Sequence, residues 1–426
     1  MKEDFLHYVW QYKKFDFSDL KTTQNENLTI INSGFYSQLA GPDFFNAQIQ
    51  IDSQKWAGNV EIHLKSSDWY VHNHEKDANY DSVILHVVWE HDVPIFRKDN
   101  SEIAVLEIKH YILNKELDNY NKLASAKSWI YCENEIAATD NFVFKNWLER
   151  LFFERLERKS IPINQLLMQT DSDWEAVLFA MIAKNFGLNT NGDIFLNIAT
   201  SIPFSIIRKE SFDPQNLEAL LLGRANLLED CKQDLYYNEL QKRYNYLKIK
   251  YQLNEVFINE VQFFKHRPDN FPTIRLVQLA QLYHQQQNLF SQVIGIKSAE
   301  ECYKLFNVSV TDYWETHYQF DKISPKKRKA LSRAFIDLLL INTVIPLQFA
   351  YQKSQGKEIA EDVIKLMSKI NPEKNAVLDK FSSFGVKSSN AFEAQALLQL
   401  KNEYCNNKKC LQCAIGLNLL KQERLN

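Results

Sequence analysis

The hydrophobic pattern of the chain changes its period once, and this change limits the folds open to it. Between residues 28 and 110, apolar and polar residues alternate or form short apolar blocks bounded by turn residues, as in β-strands. From about residue 142 onward, apolar residues recur every three or four positions, as in amphipathic helices. The sequence therefore predicts a β-rich domain over residues 1–120, followed by a large all-α domain over residues 121–426.

The same patterns place the individual elements. The predicted strands are Leu28–Ile31, Phe44–Ile51, Trp56–Lys65, Val83–Trp89 and Ile103–Ile108, preceded by a helix over Asp4–Lys13. The predicted helices of the second domain cover residues 142–158, 174–186, 215–230, 233–247, 273–290, 326–345, 358–369 and 390–403. Because the predicted strands come first along the chain and the helices follow, the sequence favours the α+β or α/β fold class.

Composition excludes several classes of function. The chain has only 10 Gly. Neither the glycine pattern of dinucleotide-binding folds nor that of the P-loop occurs in the sequence, so a nucleotide site of either kind is not expected. The net charge of −3 supplies no basic field over the whole chain, although a local basic groove stays open as an interpretation.

Three observations indicate a cytoplasmic location without membrane contact. The first residues, Met1-Lys2-Glu3-Asp4, carry acids and lack the apolar core of a signal peptide. The longest apolar stretches, such as residues 334–344, are too short and too charged to cross a bilayer. Six Cys in a long chain without a signal do not indicate a disulfide framework.

Ionisable residues share one face of the strand over residues 56–65. Because side chains alternate along a strand, Glu61, His63 and Lys65 lie on one side, opposite three apolar residues. Asp43 opens the preceding strand, so pairing of the two strands would bring it close to Glu61. Two carboxylates beside a base can hold Mg²⁺ or Mn²⁺, which polarises a phosphodiester and activates a bound water.

This order of elements resembles the core of the PD-(D/E)XK nuclease superfamily over residues 3–90. Pro42-Asp43 corresponds to the Pro-Asp of that superfamily, and Glu61 to its second carboxylate. The resemblance implies a PD-(D/E)XK-like mixed sheet and a metal held by these carboxylates, with Glu3 or Asp4 as a further acid of the first helix. It also implies DNA or RNA as the substrate.

One position departs from that superfamily, because His63 stands where it has lysine. A neutral histidine can also orient or deprotonate a water molecule, and Lys65 can contact phosphate. The sequence therefore predicts metal-dependent phosphodiester hydrolysis. The whole chain is also similar to an uncharacterised bacterial domain-of-unknown-function family through residues 41–44, 60–63 and 67–69, and this similarity implies no activity.

Two other interpretations of the same region stay open. In the first, Asp43 forms a turn and the ionisable residues are a solvated sheet face, as in a non-catalytic nucleic-acid-binding or scaffold protein that keeps the nuclease fold. In the second, His72, His74 and His86 hold a catalytic Zn²⁺. Asp68 begins the loop that carries His72 and His74, and this loop could equally position a substrate.

Three cysteines, Cys405, Cys410 and Cys413, fall within nine residues near the end of the chain. Thiolates at such spacing can converge on Zn²⁺ or on an iron–sulfur cluster, and both prefer four protein ligands. Cys132 is the best candidate for the fourth ligand, and Cys302 is the second. The alternative is three reduced thiols near a helix end.

Basic residues of the helical domain are candidate nucleic-acid contacts. Lys265 and Arg267 precede a helix that begins near Thr273 and carries Arg275, and cations beside a helix start suit phosphate. Residues 326–329 form a denser run of positive charge at the predicted start of another helix. Such a run is more typical of a solvated face.

Overall fold

The computed structural model describes residues 3–421 except for 38–40, 115, 119, 121–127, 257, 265, 358 and 359. The described residues form two compact units. The first contains the residues up to Trp147, Phe384–Val386 and those from Leu400 onward, and the second contains Leu148–Ser383 and Lys387–Gln399. This boundary lies beyond residue 120, and the cysteine segment after Leu400 belongs to the β-rich unit instead of the helical one.

A seven-stranded mixed sheet dominates the first unit. In chain order its elements are α1 (Glu3–Gln11), β1 (Leu20–Lys21), β2 (Asn27–Asn32), β3 (Phe35–Tyr36), β4 (Phe44–Ile51), β5 (Gln54–Lys65), α2 (Asp68–Val71), β6 (Val83–Glu90) and β7 (Val105–Glu107). The long strands match their predictions closely, whereas the two-residue strands β1 and β3 are too short to leave a periodic signal.

The strand order is β1-β2-β4-β5-β6-β7, with β3 also paired to β4. The β4–β5 hairpin is antiparallel and sets Phe44 opposite Val60. The β5–β6 pair is parallel, because the chain crosses back through α2, and it sets Glu61 opposite His86. The start of β4 and the middle of β5 and β6 therefore lie side by side.

Both faces of β5 are buried over its middle, residues 59–63. Phe5 and Val9 of α1 pack in one apolar cluster with Val60 and Ile62. On the alternate positions, Glu61 is only 5% exposed and His63 only 2% exposed. A second apolar cluster, which contains Trp69, Tyr80, Val83, Val88, Ile95, Ile103 and Val105, supplies further buried residues from α2 to β7. The interpretation of a solvated sheet face is therefore wrong for these two residues.

Two glycines shape the backbone around β4 and β5. Gly41 has a φ of +115°, a conformation that side chains strongly disfavour, and it turns the chain into Asp43. At Gly58 of β5, a Cβ atom would lie 2.5 Å from the carbonyl oxygen of Ser82 and 2.5 Å from Ile84. Glycine is therefore required for the close approach of β5 to the chain that enters β6.

The second unit is predominantly helical, as predicted. Together with the last helix of the first unit, its elements are α3 (Asn141–Gln169), α4 (Trp174–Phe186), α5 (Leu188–Thr200), α6 (Phe204–Glu210), α7 (Pro214–Arg224), α8 (Leu235–Lys250), α9 (Pro272–Gln285), α10 (Leu289–Gly295), α11 (Ala299–Leu305), α12 (Asp312–Glu315), β8 (His317–Gln319), β9 (Lys322–Ile323), α13 (Arg333–Leu339), α14 (Ile345–Ser354), α15 (Ala360–Met367), α16 (Ala376–Ser383), α17 (Ala391–Gln399) and α18 (Ala414–Lys421).

The predicted start of one helix at residue 326 is wrong, because α13 begins at Arg333 after the cap Ser332. The basic run before it lies outside helices, and Lys329 is buried with its ammonium group donating to the carbonyl oxygens of Glu315 and His317. These hydrogen bonds hold the chain in an irregular path, which the charge pattern alone could not indicate.

One helical stretch, Arg333–Ser354, extends well beyond the apolar segment 334–344. It joins α13 and α14 through a π-helical turn at Leu340–Val344. The stretch has 22 residues; an 18-residue window within it has a mean hydropathy of 1.6, and 72% of that window is buried within the protein. Length and composition of this kind are weak support for a membrane span, because buried core helices share them.

A buried carboxyl group makes the stability of the second unit dependent on pH. Glu218 accepts hydrogen bonds from Tyr236, Thr311 and Trp314, but burial outweighs them and raises its pKa. The pKa of Glu218 is therefore higher in the folded protein than in the unfolded chain. Its contribution to the free energy of unfolding is fully present below about pH 4.5, where the carboxyl group is neutral, and is lost as pH rises through the folded pKa. Urea unfolding at several pH values should show Glu218→Gln gaining free energy of unfolding relative to the unsubstituted protein as pH rises. A difference that stays constant across this range would contradict the prediction.

Candidate functional site

Four elements of the first unit deliver ionisable side chains to one place beside β5. Glu61 and His63 alternate with apolar residues on β5, and Asp43 lies at the entry to β4. His72 directly follows α2, and His74 begins a short 3₁₀ helix. Asn73 between them has a φ of +59°, and this left-handed turn lets both imidazoles face Glu61 and His63.

The two predicted carboxylates lie together. The backbone N–H of Asp43 donates to Oε2 of Glu61 at 3.1 Å, and the backbone N–H of Ile62 donates to Oδ2 of Asp43 at 3.0 Å. These reciprocal bonds follow from the β4–β5 pairing. Each carboxylate is therefore fixed by the backbone of the strand that carries the other.

Two imidazoles approach the other oxygen of Glu61, and a third lies against one of them. The Oε1 atom of Glu61 lies 3.5 Å from Nε2 of His63 and 3.3 Å from Nε2 of His74. Nδ1 of His72 lies 3.0 Å from Nε2 of His63, and one nitrogen from each of the three histidines lies within 4.8 Å of the others. Ligands about 2.0–2.1 Å from a zinc-sized ion lie roughly 3.3 Å apart, so the three histidines could share one cation, with Glu61 beside two of them.

His86 contacts His63 from the neighbouring strand β6. Its Nε2 lies 2.9 Å from Nδ1 of His63, and its side chain is completely buried on β6. A hydrogen bond at Nδ1 fixes the ring orientation of His63 and leaves Nε2 directed at the group. His86 therefore occupies a supporting position instead of the ligand position that the zinc interpretation gave it.

His7 is a residue of this site that the sequence analysis missed. Its Nε2 lies 3.1 Å from Oδ2 of Asp43, and Tyr36 lies 3.5 Å from its other nitrogen. Glu3, one turn earlier on α1, interacts electrostatically with His7 and Asp43. The spacing of Glu3 and His7, which places them on one helix face, is the signal that could have indicated this pair.

The protein environment shifts the titration of these groups strongly. Burial and the nearby Asp43 raise the pKa of Glu61 to about 9. Burial, followed by the neighbouring histidines, lowers the pKa of His63 to about 2. Burial opposes protonation of His7, but the hydrogen bond to Asp43 and the negative charges of Asp43, Glu3 and Glu61 together outweigh burial and raise the pKa of His7. A divalent cation would compensate the negative charge that burial disfavours at Glu61, and neutral imidazoles are the form that binds metal.

Other predicted residues lie apart from this group. The side chain of Lys65 is 52% exposed, with its ammonium group 3.9 Å from Glu90. Asp68 accepts a hydrogen bond from the backbone of Lys65 at 3.0 Å, so it stabilises the turn that leads into α2. Neither residue has a contact with the carboxylates or imidazoles in the described structure.

Of the predicted nucleic-acid contacts in the second unit, one described residue is buried and one is exposed. Arg275 is buried, where it donates to Asn270 and Gln278 and lies 3.7 Å from the centre of the Phe335 ring. Its guanidinium group is therefore engaged inside the protein and not presented to a phosphate. Arg267 is exposed, and Lys265 lies outside the described residues.

The four cysteines predicted to share a structural metal line one cavity in the first unit. They are Cys132, Cys405, Cys410 and Cys413. Cys302, the second candidate for the upstream ligand, is buried in α11 of the second unit. All six cysteines of the chain are free thiols in the structure.

The fold and this site together define an α+β protein that carries a buried histidine–carboxylate centre in an amino-terminal mixed sheet. The chain belongs to the family described as "Protein of unknown function (DUF2851)", which matches residues 3–376. The resemblance to an uncharacterised family is thereby confirmed. No curated protein and no solved structure matches the chain.

Proposed function

We propose that this protein is a metal-dependent hydrolase that cleaves phosphodiester bonds in DNA or RNA. The observation that carries the proposal is the convergence of His63, His72 and His74 at spacings suited to one cation, with Glu61 beside His63 and His74. The order of α1, β4, β5, α2 and β6, with Asp43 and Glu61 on paired strands, supports the nuclease-like substrate class.

The ligand set changes the expected metal. Mg²⁺ prefers oxygen ligands in octahedral geometry, whereas this centre offers three imidazoles and one carboxylate oxygen. Imidazole suits Zn²⁺ and Fe²⁺, and mixed nitrogen and oxygen sites also accept Mn²⁺. The proposal therefore joins two interpretations of the sequence, since Glu61 from one and His72 with His74 from the other would bind the same ion.

Each residue around the ion would have its own chemical role. Glu61, His63, His72 and His74 would hold the cation, which would supply polarisation of the phosphodiester and a bound water of lowered pKa as the nucleophile. His72 is exposed, which leaves one side of the group open to substrate. Asp43 holds His7 through the 3.1 Å contact, and His7 would donate the proton that the leaving oxygen requires.

Hydrolysis by the purified chain tests this proposal. Single- and double-stranded DNA and RNA would each be incubated with Mg²⁺, Mn²⁺ or Zn²⁺, beside the variants His7→Gln and His110→Gln. His110 is an exposed histidine of the same unit and serves as the matched control. We expect cleavage with Mn²⁺ or Zn²⁺, a loss of about 10²- to 10⁴-fold in kcat for His7→Gln at unchanged metal content, and no change for His110→Gln.

Three results would contradict the proposal. Absence of cleavage for all four substrates with every metal would remove the activity. Binding of nucleic acid without cleavage would favour the non-catalytic interpretation that keeps the fold. Equal activity of His7→Gln and the unsubstituted protein would remove the role of the His7–Asp43 pair.

A further inference from the structure

A second cluster of metal-ligating side chains lies in the first unit. The cavity lined by Cys132, Cys405, Cys410 and Cys413 is formed where the carboxy-terminal segment meets the chain around residue 131. Cys405 ends a π-helical turn at Leu400–Cys405, and Cys410 begins a 3₁₀ helix that is followed by Cys413 at the start of α18. These short turns therefore place three thiols around one cavity. Cys132, from a distant part of the chain, supplies the fourth thiol.

Contacts around the cavity hold these segments together. Lys401 donates to the carbonyl oxygen of Trp129 at 2.9 Å and lies 4.2 Å from the centre of the Trp129 ring. At Gly416, a Cβ atom would lie only 2.2 Å from the carbonyl oxygen of Cys410. Glycine is therefore required where α18 passes the turn that carries Cys410, and this close passage keeps the thiols around the cavity.

The surroundings of Cys413 act on its sulfur in two opposite ways. Burial raises the pKa of this thiol, whereas the nearby backbone N–H groups of Gly416 and Ile415 act to lower it. N–H groups beside a sulfur atom can stabilise the negative charge that a thiolate carries when it binds a metal. Hydrogen bonds to sulfur are also among the features that tune iron–sulfur clusters.

The four sulfur atoms are spaced more widely than a single zinc ion requires. In a tetrathiolate zinc site with Zn–S distances of about 2.3 Å, the sulfur atoms lie roughly 3.8 Å apart. Among the described residues, no three of these sulfur atoms lie within 4.8 Å of one another, unlike the histidine nitrogens.

We propose that Cys132, Cys405, Cys410 and Cys413 bind an iron–sulfur cluster. A cluster core inserts several atoms between its four thiolates and holds them farther apart than a single ion does, which matches the wide spacing of these sulfur atoms. Its role is structural: it links the segment after Leu400 to the chain around Cys132, and its binding energy becomes folding energy of this unit. The cluster site is separate from the histidine–carboxylate centre, and this inference does not depend on the proposed hydrolase activity.

Anaerobic purification of the full chain, expressed with added iron, tests the assignment directly. We expect visible absorption near 400 nm from sulfur-to-iron charge transfer, together with iron and acid-labile sulfide in about equal amounts, in the range of two to four of each per chain. One zinc ion per chain without sulfide would overturn the cluster in favour of a zinc site. Absence of both metals from the anaerobic protein would overturn the site altogether.

Variants connect the cluster to these cysteines. Cys410→Ser is expected to lose the absorption band and the sulfide, whereas Cys231→Ser, which changes an exposed thiol of the second unit, is expected to retain both. If Cys410→Ser does not fold, removal of iron from the unsubstituted protein with a chelator under reducing conditions gives the same comparison. The loss of iron should lower the thermal midpoint and expose residues after Leu400 to proteolysis. Unchanged stability and proteolysis after complete loss of iron would contradict the structural role.

Discussion

Replacing Glu61 with glutamine is expected to lower phosphodiester hydrolysis by more than about 100-fold and to reduce the bound metal to a small fraction of one equivalent. Glutamine keeps the size of the side chain but removes the carboxylate oxygen that lies 3.5 Å from His63 and 3.3 Å from His74. The histidines alone would leave the charge of a divalent cation uncompensated in a buried site, so the affinity for the metal falls.

The stability of this variant separates a metal ligand from a structural residue. Because burial raises the pKa of Glu61 to about 9, its carboxyl group is protonated at neutral pH without a metal and resembles the amide of glutamine. Glu61→Gln should therefore unfold in urea at nearly the same denaturant concentration as the metal-free unsubstituted protein. A large loss of stability in the metal-free state would indicate that Glu61 holds the fold together and would contradict its role as a ligand.

Metal analysis and steady-state kinetics on matched variants complete the comparison. Glu90→Gln changes the same residue type on the neighbouring strand, where the side chain is half-exposed and lies 3.9 Å from Lys65. This control is expected to keep both metal and activity. Full activity of Glu61→Gln with one equivalent of metal would remove Glu61 from the proposed centre.

The local part of this site could be predicted from the sequence, because strand alternation is a short-range property. Alternation places Glu61 and His63 on one face of β5, and the hairpin with β4 brings Asp43 to Glu61. Alternation shows which residues share a face of a strand, but it does not show whether another element packs against that face. The burial of Glu61 and His63 depends on α2 and the following 3₁₀ segments, whose packing is set by contacts with β6 and later residues.

The parts that depend on distant segments could be predicted only in outline. His74 reaches Glu61 because Asn73 adopts a left-handed conformation, and residue type makes such a conformation plausible without showing where it aims the next side chain. Arg275 has the expected position near a helix start, yet Phe335 from a later helix covers it. For Cys132, the chemistry of four-thiolate sites indicated a partner for the carboxy-terminal cysteines, and the structure places it with them.

His86 is expected to act as a positioning residue for the metal, through His63. Substitution by phenylalanine removes the nitrogen that lies 2.9 Å from Nδ1 of His63, while an aromatic ring still fills the buried position on β6. Loss of such a supporting hydrogen bond typically lowers metal affinity by about 10- to 100-fold. We therefore expect His86→Phe to need about 10- to 100-fold more metal for half-maximal activity, with kcat largely restored at saturating metal.

Two further variants distinguish positioning from packing. His86→Gln keeps a hydrogen-bonding group near His63 and should recover part of the metal affinity, although it fills the site less well than phenylalanine does. His110→Phe, the exposed control of the same unit, should leave the metal titration unchanged. If His86→Phe binds metal as tightly as the unsubstituted protein, or if added metal does not restore its kcat, the hydrogen bond to His63 does not position the metal. If His86→Gln is instead the weaker metal binder of the two, the volume of the ring is what maintains the site.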